Sequence, residues 1–223
     1  MKIEKLNTLI DHTLLKPEAT LSQIEKLCDE ARIYDFASVM VNSSWIKDCA
    51  RFLKDSDVLV ASVIGFPLGA MSTEAKVFET QQALKDGAHE IDMVINIGKL
   101  KDGEKDYIVN EIKAIKALLP DKVLKVIIET ALLTDEEKIL ACELVSEAKA
   151  DFIKTSTGFS IHGATIADVK LLRKHVAPEV AVKAAGGVRS LSDVVSMVEA
   201  GATRIGTSSG VQLMQGELTE GNY

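Results

Sequence analysis

Short β-branched runs alternate with longer stretches of helical period along the whole chain, and this alternation constrains the possible folds more than any other feature. The extended runs lie near Leu9 to Leu14, Ala37 to Val41, Val58 to Gly65, Glu90 to Asn96, Val123 to Thr130, Asp151 to Thr155, Val180 to Ala184 and Thr203 to Gly206. Between them the periodicity predicts helices over Leu21 to Ala31, Thr73 to Lys85, Tyr107 to Leu118, Asp135 to Ala148, Thr165 to Lys174 and Leu191 to Glu199. Ile166, Val169 and Leu172 recur at helical spacing, as do Val194, Val195 and Val198, which gives each segment one core-facing stripe. In Leu84-Lys-Asp-Gly-Ala88 and in Val198-Glu-Ala-Gly-Ala202 a glycine sits where a helix stops and a strand restarts, a position that favours left-handed backbone.

Strands that are apolar on both faces, each followed by a helix, form a parallel sheet covered by helices. Eight such units in 223 residues fit an α/β chain folded as one (β/α)8 barrel domain over residues 1–223, an architecture that typically needs roughly 250 residues. A doubly wound open sheet is the main alternative. It would normally show a nucleotide loop after its first strand, and neither GxGxxG nor GxxxxGK followed by Ser or Thr occurs.

The formal charge of −7 and the lack of a basic run argue against a nucleic-acid partner, since phosphate backbones are bound by neutralising lysines and arginines. Met1-Lys-Ile-Glu-Lys5 lacks the apolar core of a signal peptide, and no apolar stretch approaches the roughly 20 residues of a membrane span, so a cytoplasmic protein is expected. Cys28, Cys49 and Cys142 are odd in number and show no CxxC spacing, which suits buried thiols in a reducing compartment. His12, His89, His162 and His175 form no HxxxH or HxH pair, so no metal site is expected.

Two lysines stand out. Lys154, in Phe152-Ile-Lys-Thr-Ser-Thr-Gly158, and Lys183, in Val180-Ala-Val-Lys-Ala-Ala-Gly-Gly187, each end an apolar run just before a glycine-containing turn. One strand-end lysine ordinarily snorkels to solvent. Two on neighbouring sixth and seventh strands, at the carboxyl ends where barrel active sites form, point to chemistry. An amine attacks a carbonyl only when neutral, and lowering a lysine from about 10.4 to about 7 takes roughly 4.6 kcal/mol. A second ammonium about 4 Å away supplies on the order of 4 kcal/mol at an effective dielectric of 20, so the charge of Lys183 is expected to account for most of the shift.

Asp92, inside the apolar run Glu90-Ile-Asp-Met-Val-Ile-Asn96, needs a cationic partner to be buried, and the two lysines provide one. It is a candidate general acid and base. Gly158, Gly186, Gly187, Gly206, Ser208 and Ser209 follow the sixth, seventh and eighth strands, the usual barrel position for an anion cradle of backbone N–H groups.

At these residues the sequence closely resembles the deoxyribose-phosphate aldolases, a class I aldolase family. The matching segments run almost end to end and include Asp11-His-Thr-Leu14, Val63-Ile-Gly-Phe-Pro-Leu-Gly69, Glu90 to Asn96, Lys125-Val-Ile-Ile-Glu-Thr130, Phe152 to Phe159, Val182 to Arg189 and Arg204 to Gly210. The resemblance implies reversible cleavage of 2-deoxy-D-ribose 5-phosphate to D-glyceraldehyde 3-phosphate and acetaldehyde, with no metal or organic cofactor. It makes Lys154 the Schiff-base former, Lys183 the charge that lowers its pKa, and Asp92 the proton carrier. Gly158, Gly187, Gly206, Ser208 and Ser209 would hold the 5-phosphate, while Asp11 and Thr13 would lie near the substrate hydroxyls; Gly186 and Thr155 complete the expected substrate site. Family members often end in tyrosine, so a tail at about 217–223 is expected to bring Tyr223 to the site as a proton carrier. Many relatives read Cys-Val-Asn-Pro after the second strand where this chain has Met40-Val-Asn-Ser43, and loss of that thiol is expected to improve tolerance of aldehydes. The expected partners are small phosphosugars and aldehydes together with further copies of the chain, a dimer or tetramer. Two other readings are a lysine-dependent aldolase acting on a larger keto sugar and a catalytically silent phosphosugar sensor.

Overall fold

Eight parallel strands close on themselves in sequence order: β1 (Ile10–Leu14), β2 (Ser38–Val41), β3 (Leu59–Ile64), β4 (Glu90–Val94), β5 (Val123–Ile127), β6 (Phe152–Lys154), β7 (Ala181–Ala185) and β8 (Arg204–Thr207). The computed structural model describes residues 6–216, so Tyr223 and the tail at 217–223 lie outside the described residues. Around the barrel run α1 (Leu21–Tyr34), α2 (Ile46–Phe52), α3 (Thr73–Asp86), α4 (Ile97–Lys101), α5 (Lys105–Lys116), α6 (Asp135–Glu147), α7 (Ile166–His175), α8 (Leu191–Glu199) and α9 (Gly210–Gln215). The (β/α)8 barrel expected from the alternation is the fold.

All eight expected strands are present, but four, β3 to β6, end earlier than the apolar runs suggest. β3 stops because Gly65 turns left-handed (φ 62°), and β4 stops where Asn96 caps α4 by accepting the Lys99 N–H at 3.1 Å. The run to Thr130 breaks at Glu129, a non-glycine residue in left-handed backbone (φ 54°). Helices α2, α4 and α9 were not expected, being too short for a stripe of period 3.6 to repeat. Both glycine junctions behave as read: Gly87 (φ 112°) and Gly201 (φ 114°) are left-handed at helix ends.

Between barrel and helices lies the main core, where outward strand residues such as Val39, Ile91, Val126 and Val182 meet the inner stripes of the helices. The space inside the barrel is different. One wall is apolar, with Met40, Ala61, Val63 and Leu15 in contact and Phe66 against them. The rest is charged, and its side chains reach one another across non-adjacent strands.

Candidate active site

Strand pairing places the key residues before any side chain is considered. Lys154, the last residue of β6, lies in register with Lys183 of β7, so both project from the same face at the same level. Asp92 of β4 lies in register with Lys125 of β5. These neighbours point inward, and Asp92 Oδ2 receives both Lys154 Nζ at 2.9 Å and Lys183 Nζ at 2.7 Å. One oxygen shared by two ammonium groups holds the two nitrogens within a carboxylate's reach of each other.

Asp92 has a third cation that was not assigned from the sequence: Lys125 Nζ lies 2.8 Å from its Oδ1 and 2.5 Å from Glu90 Oε2. Arg204, from β8, crosses to Glu90 at 3.2 Å and to Asp11 at 2.7 Å, and Lys183 also lies 2.5 Å from Asp11 Oδ2. Lys125, Lys154, Lys183 and Arg204 therefore face Asp11, Glu90 and Asp92, four cations against three carboxylates. The cluster becomes neutral when one cation loses its proton. Lys154 is the member that meets a single carboxylate, and it is the one that yields.

Burial is the largest influence on Lys154 and pulls its amine down to about 8; Asp92 opposes the fall, while Lys183 and Lys125 add to it. This corrects the sequence expectation, which gave Lys183 the leading part. At 3% exposure the amine has lost nearly all of its hydration, and that loss outweighs a neighbouring charge that Asp11 and Asp92 partly cancel. Burial works to raise the Asp92 carboxyl, but Lys125, Lys154 and Lys183 together hold it well below the usual carboxylate range. Asp11 is held low in the same way: burial opposes its ionisation, while Lys183, Lys125 and Arg204 favour it. Lys125, despite its burial, is raised by Asp92, Asp11 and Glu90 and stays charged.

The remaining expected residues divide into those that ring the barrel mouth and those occupied elsewhere. Gly158 (φ 88°), Gly186 (φ 76°) and Gly187 (φ 75°) form left-handed turns after β6 and β7. Gly187 lines a cavity of about 380 Å3 together with His162, Thr165 and Arg189. Gly206 lies within β8, in register with Ala185 and Asp11, rather than after the strand. Ser208 is exposed and shares a cavity of about 310 Å3 with Thr13, His12 and Lys16, while Ser209 begins α9 with its N–H donated to Thr207 Oγ1 at 3.1 Å.

Asp11 and Thr13, expected near the substrate hydroxyls, and Thr155, expected in the substrate site, have their side-chain oxygens engaged within the protein. Asp11 is fully buried, with Ser38 Oγ donating to its Oδ1 at 2.7 Å besides its cations, and so acts as a counter-ion beneath Lys183. Thr155 Oγ1 donates to the Ala185 carbonyl at 3.3 Å and accepts the Ala185 N–H at 3.2 Å, which clasps the ends of β6 and β7. The Thr13 hydroxyl is turned back onto the Asp11 carbonyl at 2.8 Å. Met40 is fully buried in the apolar wall.

Residues 6–216 match the DeoC/LacD family aldolase. The chain belongs to this aldolase family. Over 219 residues it is 58% identical to a deoxyribose-phosphate aldolase of Streptococcus gordonii, covering 98% of this chain and 100% of the relative. A deoxyribose-phosphate aldolase of Streptococcus suis is equally similar, at 58% over the same span. Among solved structures, the deoxyribose phosphate aldolase of Aeropyrum pernix, described as tetrameric, superposes with a TM-score of 0.88 at 35% identity, covering 94% of this chain and 89% of that one. Residues 11–14, 90–96 and 152–159, which carried the sequence resemblance, all fall inside the family match. Among the described residues, no helix is long and apolar enough to cross a membrane.

Proposed function

We propose that this protein is a carbon–carbon lyase that reversibly cleaves 2-deoxy-D-ribose 5-phosphate to D-glyceraldehyde 3-phosphate and acetaldehyde through a Schiff base on Lys154. The observation that carries the reading is the shared carboxylate: Lys154 and Lys183 on one oxygen of Asp92, with the Lys154 amine lowered to about 8. At neutral pH roughly a tenth of such an amine is free base, about two hundred times more than for an ordinary lysine.

The free amine of Lys154 attacks C1 of the open-chain sugar. Asp92, ionised at rest, takes the proton released as the carbinolamine forms and returns it to the departing hydroxyl as water leaves. The protonated imine then draws in the C2–C3 bonding electrons while the C3 hydroxyl gives up its proton, so C3 departs as the aldehyde of glyceraldehyde 3-phosphate. The enamine left on Lys154 takes a proton at C2, and water releases acetaldehyde and restores the amine. Lys183 remains the fixed charge that disfavours the Lys154 ammonium. The turns at Gly158, Gly186 and Gly187, with Gly206, Ser208 and Ser209 beside them, receive the phosphate. In this reading residues 1–223 form one catalytic domain, working in the cytoplasm as a homo-oligomer.

Borohydride trapping with acetaldehyde, read by mass spectrometry, tests the assignment. Reduction should add one two-carbon unit to Lys154, and Lys154→Leu should take up none. A wild-type protein that traps neither acetaldehyde nor deoxyribose phosphate would instead be a silent sensor.

A further inference from the structure

Glu129 is a buried carboxylate for which the reaction above has no use. It is 2% exposed and occupies left-handed backbone just after β5. Its Oε2 accepts two hydrogen bonds from Thr157, one from the backbone N–H at 3.2 Å and a very short one from the hydroxyl. Thr157 Oγ1 in turn accepts the N–H of Phe159 at 3.0 Å. Gly158 lies between these two anchored residues, so a single carboxylate fixes the whole Thr157-Gly158-Phe159 turn.

The same short segment also holds the nucleophile's strand. Ile128 N–H donates to the Lys154 carbonyl at 3.1 Å, and Thr130 N–H to the Thr155 carbonyl at 2.9 Å. Residues 128–130 are thus bonded on one side to Lys154 and on the other, through the Glu129 side chain, to the glycine turn. A turn centred on glycine has little conformational preference of its own and takes the shape its neighbours impose. Keeping a buried carboxylate here is costly: Glu129 Oε1 is buried without a hydrogen-bond partner. Strained backbone and an unsatisfied buried oxygen together mark a residue kept for something other than stability. The carboxylate is also poorly placed to repel an anion, because burial pushes its carboxyl up and both Thr157 donors converge on Oε2.

We infer that Glu129 is a positioning residue for the substrate's phosphate, holding the Gly158 turn in the shape that presents the Gly158 N–H at a set distance from Lys154. This rests on the aldolase reading and deepens it. The test compares deoxyribose 5-phosphate with unphosphorylated 2-deoxyribose as substrates of the wild type, Glu129→Ala, Glu129→Gln and Thr157→Val. Glu129→Ala should lower the ratio of the two kcat/KM values about tenfold or more, through KM for the phosphorylated sugar, because small misplacements of binding groups cost up to about a hundredfold. Glu129→Gln, which keeps an acceptor oxygen, should lose less, and Thr157→Val should move the ratio the same way. Thr157→Val carries the readout if the alanine variant does not fold.

An equal loss on both sugars, or an unchanged ratio, overturns the inference and leaves the aldolase reading intact. If the wild type cleaves neither sugar, the aldolase reading fails by itself, and calorimetric titration with inorganic phosphate takes over. Weaker phosphate binding by the variants then supports the role of Glu129, whereas unchanged binding, or none by the wild type, overturns it.

Discussion

At the residue scale, Lys154 differs from its neighbours in how much negative charge it meets. Lys125, Lys183 and Arg204 each touch two or more carboxylates, whereas Lys154 touches Asp92 alone, so the excess positive charge of the cluster is relieved there. Because its amine sits at about 8, the rate of imine formation with acetaldehyde should climb about tenfold per pH unit below 8 and level off above it. Lys183→Leu leaves three cations facing three carboxylates, which lets Lys154 stay protonated. Its pH–rate midpoint should therefore move up by about one unit or more, with the plateau rate largely retained. A profile unchanged in Lys183→Leu would leave burial and Lys125 as the causes. Lys154, Lys183 and Asp92 were legible because a charged residue ending or interrupting an apolar run is conspicuous in one dimension. Lys125 and Arg204 were not, since their part depends on register and on reach across the barrel. A signal did exist, for Glu90 and Asp92 alternate on a strand that is otherwise apolar, and two inward carboxylates call for more cations than the strand-end lysines supply.

At the element scale, the site depends on how closely the loops after β6 and β7 pack. Ala164 N–H reaches both the Ala185 and Gly186 carbonyls, at 3.1 and 3.0 Å, and a Cβ on Gly163 would lie only 2.2 Å from the Gly186 carbonyl. The two backbones meet because one residue has no side chain. Gly163→Ala should force the turns apart, lowering stability by about 1–3 kcal/mol in urea titration and raising KM for the phosphosugar. Gly103→Ala is the control: it carries the strain of φ 74° but meets nothing within 4 Å, so it should cost about 1 kcal/mol and leave KM alone. If the two variants share one KM, the packing of the loops is irrelevant to binding. The sequence revealed that glycines cluster after these strands, but not that Gly163, five residues beyond Gly158, is the one under compression. Steric closeness between two loops leaves no periodic trace. Strand existence was legible for the opposite reason, since eight apolar runs repeat one rule. Their ends depended on single residues such as Asn96 and Glu129.

At the scale of the whole molecule, a barrel interior filled with charge opposes the stability that the outer core provides. Lys154 has to be desolvated to react, and its lowered pKa measures the cost of keeping it protonated inside the fold. Below pH 8 both folded and unfolded chains hold the Lys154 proton, so the penalty is fully present. Between about pH 8 and 10.4 the unfolded chain still holds that proton while the folded one has lost it, so rising pH favours the fold. The gain across that window amounts to about 3 kcal/mol. Lys154→Met removes the group and leaves three cations balanced by three carboxylates. The difference in unfolding free energy between wild type and Lys154→Met, measured in urea from about pH 7 to 10.5, cancels every other group that titrates there. Lys154→Met should be the more stable protein at pH 7, and its advantage should shrink by about 3 kcal/mol as the pH rises. Two parallel curves would mean that Lys154 is solvated in the fold, and its amine would then have no reason to be free at neutral pH.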